Sequence, residues 1–210
     1  VSKPARPAPR PTFQAIPTNL ITGFPGVGKT TMIRHLLTQR PIDERWAVVV
    51  SDAEIGGDWP VCEALAVASM PGGCACCASA QAFTVGLNRL IRTHRPTRLL
   101  IEPTSLGHLG RLLRTLTGPF YSKALQLQST LTLIDPAHLH SPHHRQHQAW
   151  LEQIACADLL VINKADMASP QECEGALNAL LRTLPAPHPR WLFTAHGVID
   201  PALLETASRA

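Results

Sequence analysis

No apolar stretch in this chain approaches the roughly 20 residues a membrane helix needs, so a membrane is not among the partners the sequence predicts. Residues 1–17 also lack any apolar run or acidic group. Their five prolines exclude the apolar core of a secretory leader and predict a disordered, Pro-rich tail. Lys3, Arg6 and Arg10 in that tail supply three charges of the formal net +4, leaving +1 for everything after Pro17. A body so near neutrality lacks the basic excess expected of a nucleic-acid surface, and nucleic acid is not an expected partner. The tail reads as a solvated arm, or as a weak contact for an acidic partner. Internal repeats are missing. So is the regular cysteine spacing of a disulfide framework: of six cysteines, three crowd into four positions, which suits a metal or redox site better. The cytoplasm is the expected compartment.

What is present is ordinary for an α/β protein, with 45% hydrophobic and 16% charged residues. The length suits one compact domain over residues 18–210. Short apolar runs at 19–22, 47–50, 99–101, 131–134, 159–162 and 191–193 predict strands. Helix-length segments lie between them, for example 30–39, 80–93 and 170–184. That alternation predicts βαβ units: a doubly wound, mostly parallel sheet with helices on both faces.

Gly23-Phe24-Pro25-Gly26-Val27-Gly28-Lys29-Thr30 satisfies the phosphate-loop pattern G-x-x-x-x-G-K-[ST]. A predicted strand enters it, and a helix leaves through Thr31. Gly23, Gly26 and Gly28 let the backbone around Val27 curl, so that N–H groups converge on phosphate oxygens at a helix N-terminus. Lys29 is expected on the β- and γ-phosphates, and the Thr30 hydroxyl on Mg²⁺. Glu102, where the strand 99–101 leaves the sheet, is expected to hold Mg²⁺ through water or to place the attacking water. The competing reading, a surface Glu capping a following helix, is the lesser one beside a phosphate loop.

Asn163-Lys164-Ala165-Asp166 follows the strand at 159–162 and has the N-K-x-D form of a guanine reader. An Asp carboxylate can accept from guanine N1–H and the 2-amino group together. Adenine offers neither donor, and the unpaired carboxylate would cost about 1–3 kcal/mol or more. Thr194-Ala195-His196-Gly197, after the last strand, is a weaker candidate for a loop backing the base.

In Gly72-Gly73-Cys74-Ala75-Cys76-Cys77, three thiols can present thiolates to one soft cation such as Zn²⁺. The helix starting near Ala78 favours thiolate at its N-terminus. A redox pair of Cys74 with Cys77 and plain packing are the competing readings. Five imidazoles between His138 and His147 read either as a solvated His-rich segment or as a weak auxiliary metal site.

With these motifs in this order, the chain resembles the CobW-like branch of the CobW/HypB/UreG GTPases from about Leu20 to Leu204. The loop at 23–31 resembles that family's T-G-F-x-G-x-G-K-T-T. Residues 71–77 resemble its G-C-x-C-C metal motif, and 101–107 its strand-ending glutamate segment. Ile134-Asp135-Pro136-Ala137-His138 is similar to its V-D-A-x-H turn, and 153–166 to its stretch ending in N-K-x-D. The resemblance implies a GTPase that helps deliver zinc, cobalt or another transition metal to a client metalloprotein. Cys74, Cys76 and Cys77 would then be the metal ligands, with Glu54 and His138 as additions. Three departures stand out. In the switch-like segment 50–58 only Glu54, Gly56 and Asp58 carry over. Ser105 stands where the family has Gly, and a C-terminal domain found in many relatives is not in this sequence.

The expected function is therefore a GTP- and Mg²⁺-using metallochaperone. Its hydrolysis should be slow, since no arginine finger or glutamine is identifiable. The alternatives are a nucleotide-gated metal-binding module with negligible turnover and an ATP-dependent P-loop kinase.

Overall fold

The computed structural model describes residues 14–50, 59, 62–69, 80–104, 108–206 and 208. The expected metal residues Cys74, Cys76 and Cys77 lie outside them, as do Glu54, Gly56, Asp58 and Ser105.

In chain order the elements are β1 (Ile16–Gly23), α1 (Lys29–Thr38), β2 (Trp46–Val50), β3 (Leu65–Ser69), α2 (Ala80–His94) and β4 (Arg98–Glu102). They continue with α3 (Leu109–Thr117), β5 (Leu125–Ile134), α4 (Pro136–His140), α5 (Pro142–Gln146) and α6 (Gln148–Ala155). Last come β6 (Leu159–Ile162), α7 (Pro170–Leu181) and β7 (Arg190–Phe193), with 3₁₀ turns at Ala165–Met167 and Pro201–Glu205. The strands form one seven-stranded sheet in the order β3-β2-β4-β1-β5-β6-β7. Every neighbouring pair is parallel. β1 sits at its centre, where the winding changes direction, and the loops that hold ligands in such sheets leave the carboxyl ends there.

Side chains alternate across the sheet with the period of two that a strand imposes. Trp46, Val48 and Val50 of β2 join the core under α1, α6 and α7, while Ala47 and Val49 join the core under α2 and α3. Both faces are covered, which is why β2, β4 and β6 are buried at every position rather than at every second one. α3 shows the helical counterpart. Leu109, Leu112, Leu113 and Leu116 fall at i, i+3, i+4 and i+7 and are all buried. Burial of each contributes roughly 1.5–3 kcal/mol.

Two differences from the sequence reading have physical causes. β3 was not expected: Leu-Ala-Val-Ala-Ser is a half-buried edge strand with little β-branched signal. β1 starts at Ile16 and runs through Pro17, earlier than a proline suggested. Ile16 N–H donates toward β5, to Ala124 O, so the donor missing at Pro17 faces β4, whose pairing begins only at Thr18. No ladder bond is forfeited there.

Candidate functional site

Three carboxyl ends, those of β1, β4 and β6, bring the polar candidates together. Gly23 ends β1 at φ 141°, and a Cβ there would lie 2.6 Å from Leu133 O. Only glycine allows that approach to β5. Gly26 and Thr31 are exposed, while Val27 is fully buried and anchors the loop between them. Gly28, in the left-handed region at φ 99°, is the N-cap of α1 and brings no side chain to cap it. The amino end of α1 thus carries no side-chain cap from Gly28, and its partial positive charge favours an anion.

Lys29 and Glu102 are both buried. The ammonium donates to Phe24 O at 3.3 Å and lies 3.8 Å from Glu102 Oε1. Thr30 Oγ1 donates to the same carboxylate, at 3.3 and 3.2 Å from its two oxygens. β1 and β4 are adjacent and parallel, so Glu102 ends beside the start of α1 although 72 residues separate it from Thr30. A hydroxyl and a carboxylate side by side are the hard oxygen donors that Mg²⁺ prefers, so these residues fit the ion.

Asn163 couples this loop to the next. Its amide donates to Val27 O at 2.8 Å and accepts from Gly197 N–H at 2.9 Å. Ala165 N–H donates to Thr194 O at 3.0 Å. The faint sequence signal at 194–197 thus marks a loop packed directly against the N-K-x-D segment. Asp166 is exposed in the 3₁₀ turn that follows. Lys164 takes a left-handed backbone (φ 61°), and its ammonium donates to Asp135 Oδ2 at 2.7 Å.

Asp135 has a double duty the sequence reading did not assign. Its other oxygen accepts from Ala137 N–H at 3.0 Å and caps α4. An Asp directly before Pro136 is a readable start signal for a helix. Burial alone would raise its carboxyl, but the Lys164 ammonium and the Ala137 N–H outweigh it and hold the group below its ordinary range.

The histidine-rich segment forms α4, α5 and the turn between. His138 and His144 stack at 3.9 Å between centroids with 12° between planes. Phe24, from the phosphate loop, meets His138, His144 and His147 at 6.5, 5.6 and 5.1 Å. Burial lowers the basicity of His138 and His144, and the neighbouring imidazoles add to the effect. Parallel stacked rings cannot aim in-plane lone pairs at one ion. Among the described residues no group of three or more His, Cys, Asp or Glu is placed to hold a metal. His138, His144 and His147 form an aromatic support for Phe24. Of the isolated cysteines, Cys62 is exposed, whereas burial pushes the thiols of Cys156 and Cys173 up.

Residues 17–189 match the family described as CobW/HypB/UreG, nucleotide-binding domain. The chain is 40% identical over 195 residues to the zinc chaperone YeiR of Escherichia coli K12, covering 91% of this chain and 59% of that protein. It is 29% identical to the zinc chaperone CobW of a Sinorhizobium species, over 72% of this chain and 51% of that one. The chain thus spans between half and three fifths of these relatives' length. Among solved structures, the Zn(II)-bound YjiA GTPase of E. coli superposes with a TM-score of 0.62 at 23% identity, covering 91% of this chain and 61% of that one. HypB of Helicobacter pylori in complex with nickel gives 0.56 at 17%, covering 90% and 82%. At such identities the structures speak for the fold, which they share.

Proposed function

Because the chain belongs to the CobW/HypB/UreG family of nucleotide-binding domains, we propose that it is a GTP-hydrolysing metallochaperone that carries a transition metal, zinc by preference, to a client metalloprotein. The observation that carries this reading is the convergence of Lys29, Thr30 and Glu102 at one sheet edge, with Asn163 fastening Val27 from the guanine side. The loop N–H groups around Gly26–Thr30 and the Lys29 ammonium hold the triphosphate. Asp166 accepts from the guanine N1–H and 2-amino group, which selects GTP over ATP. Thr30 and Glu102 hold Mg²⁺, which when bound neutralises charge developing on the phosphate oxygens. Lys29, desolvated beside them, stabilises that same charge without reorganising.

Cys74, Cys76 and Cys77 are the proposed ligands of the cargo metal. The register supports a link to the nucleotide site: Val50 pairs with both Ser69 and Glu102, so the three strand ends that precede the cysteine segment, the switch-like segment and the loop after Glu102 lie abreast. The segment with the cysteines leaves from Ser69, and the switch-like segment 51–58 leaves from Val50. Competition of GTP and ATP for a fluorescent guanine nucleotide, followed by single-turnover hydrolysis with and without Zn²⁺, tests the proposal. GTP should win and be cleaved, and Lys29→Ala should abolish cleavage. Equal competition by ATP would refute guanine selectivity; no cleavage in either condition would leave only metal and nucleotide binding.

A further inference from the structure

We infer that Asp135 is a positioning residue for guanine nucleotide recognition: its carboxylate fixes the Lys164 side chain and joins the guanine loop to the support of the phosphate loop. This role rests on the reading of Asn163–Asp166 as the guanine site. Lys164 carries a long, entropically free stem, and its side chain is 36% exposed. An ammonium on such a stem samples many rotamers unless a partner selects one. Asp135 Oδ2, at 2.7 Å, is that partner. The apolar stem between the fixed Cα and the fixed Nζ is then a preformed surface for a base to lie along, and pre-organisation lowers the entropic cost of binding.

The second oxygen of the same carboxylate extends the effect. By capping α4 it holds the turn from which His138 stacks on His144, and both rings pack on Phe24. Phe24 O in turn accepts from Lys29. One carboxylate therefore touches the base side of the site directly and the phosphate side through a single layer of rings. Asn163 makes the other connection, directly to Val27. Asp135 is not expected to touch the nucleotide, so its contribution should vanish when Lys164 has no charge to hold.

Asp135→Asn separates the two duties, since Asn still caps a helix but offers Lys164 no charge. Asp135→Ser also caps and is too short to reach Lys164. Both should weaken binding of fluorescently labelled GDP by about tenfold, the worth of one charge-assisted hydrogen bond, with thermal midpoints near the parent's in the absence of nucleotide. In a Lys164→Met background, which keeps the stem, Asp135→Asn should add little further loss. Parent-like GDP affinity in Asp135→Asn, while Asp166→Asn erases the preference for GTP, would overturn this role and leave the guanine reading intact. An undiminished tenfold loss in the Lys164→Met background would overturn it too, because Asp135 would then act through α4 alone. If the unmodified protein shows no preference for GTP over ATP, the guanine reading falls and this role falls with it.

Discussion

At Gly28 a Cβ would lie 2.4 Å from Asn163 Nδ2, on a backbone already at φ 99°. Gly28→Ala therefore strains the loop and displaces the amide that bonds Val27 O. We expect a stability loss of about 1–3 kcal/mol in urea unfolding and loss of guanine nucleotide binding. Parent-like nucleotide affinity in this variant would show that Asn163 does not organise the loop. Asp166 is a contrasting residue, exposed at its turn. Asp166→Asn should leave the unfolding midpoint unchanged and remove most of the preference for GTP over ATP, read by competition binding. Retained preference would place the guanine reader elsewhere.

α4 and α5 are short helices that carry the stacked rings of His138 and His144 against Phe24. Burial and neighbouring imidazoles hold the folded-state basicity of His138 and His144 below the ordinary histidine value of 6.5. As the pH falls through 6.5, the unfolded chain takes up these protons before the folded one does. Their contribution to stability is thus complete above 6.5 and declines as the pH falls below it. Urea unfolding at pH 7.5 and 5.5 should show that decline, and His144→Phe, which keeps an aromatic ring, should reduce it. An equal decline in parent and variant would assign the pH dependence to other groups.

Across the whole molecule, the final 3₁₀ turn is tied to the entry side of the sheet. Asn19, fully buried, donates to Ser129 O and Leu204 O at 3.0 Å each and accepts from Arg98 at 2.9 Å. Arg98 also pairs with Glu205. Asn19→Ala removes three bonds from a buried cluster, so urea unfolding should report a loss of about 2–4 kcal/mol. A loss below half a kcal/mol would mean that water replaces the amide. At the opposite edge, the alignment of Ser69, Val50 and Glu102 predicts that metal and nucleotide sense each other. Zn²⁺ affinity should differ roughly 5- to 150-fold between the GTP- and GDP-bound forms, and by linkage the effect is reciprocal. Replacing Cys74, Cys76 and Cys77 by Ser should remove the difference. Equal affinities in the two forms would make the metal site independent of the nucleotide.

Local chemistry was sufficient for much of this. Six of the seven strands among the described residues were legible because strand period is a property of neighbouring residues, and the loops at 23–30 and 163–166 stood out as short motifs for the same reason. β3 escaped because an alanine-rich edge strand is recognisable only by its partner, β2. Net charge also concealed an arrangement: Arg89, Arg92, Arg111 and Arg114 are all exposed on the helices covering one face. Asp135 and Phe24 gained their roles from residues 29 positions downstream and from a histidine stack, contacts that no local pattern encodes. Residue types and spacing in the chain by themselves nominated the groups for phosphate, guanine and metal. Only the parallel order β3-β2-β4-β1-β5-β6-β7 decided that Lys29, Thr30, Glu102 and Asn163 come together, because it gathers the carboxyl ends of distant strands at a single edge.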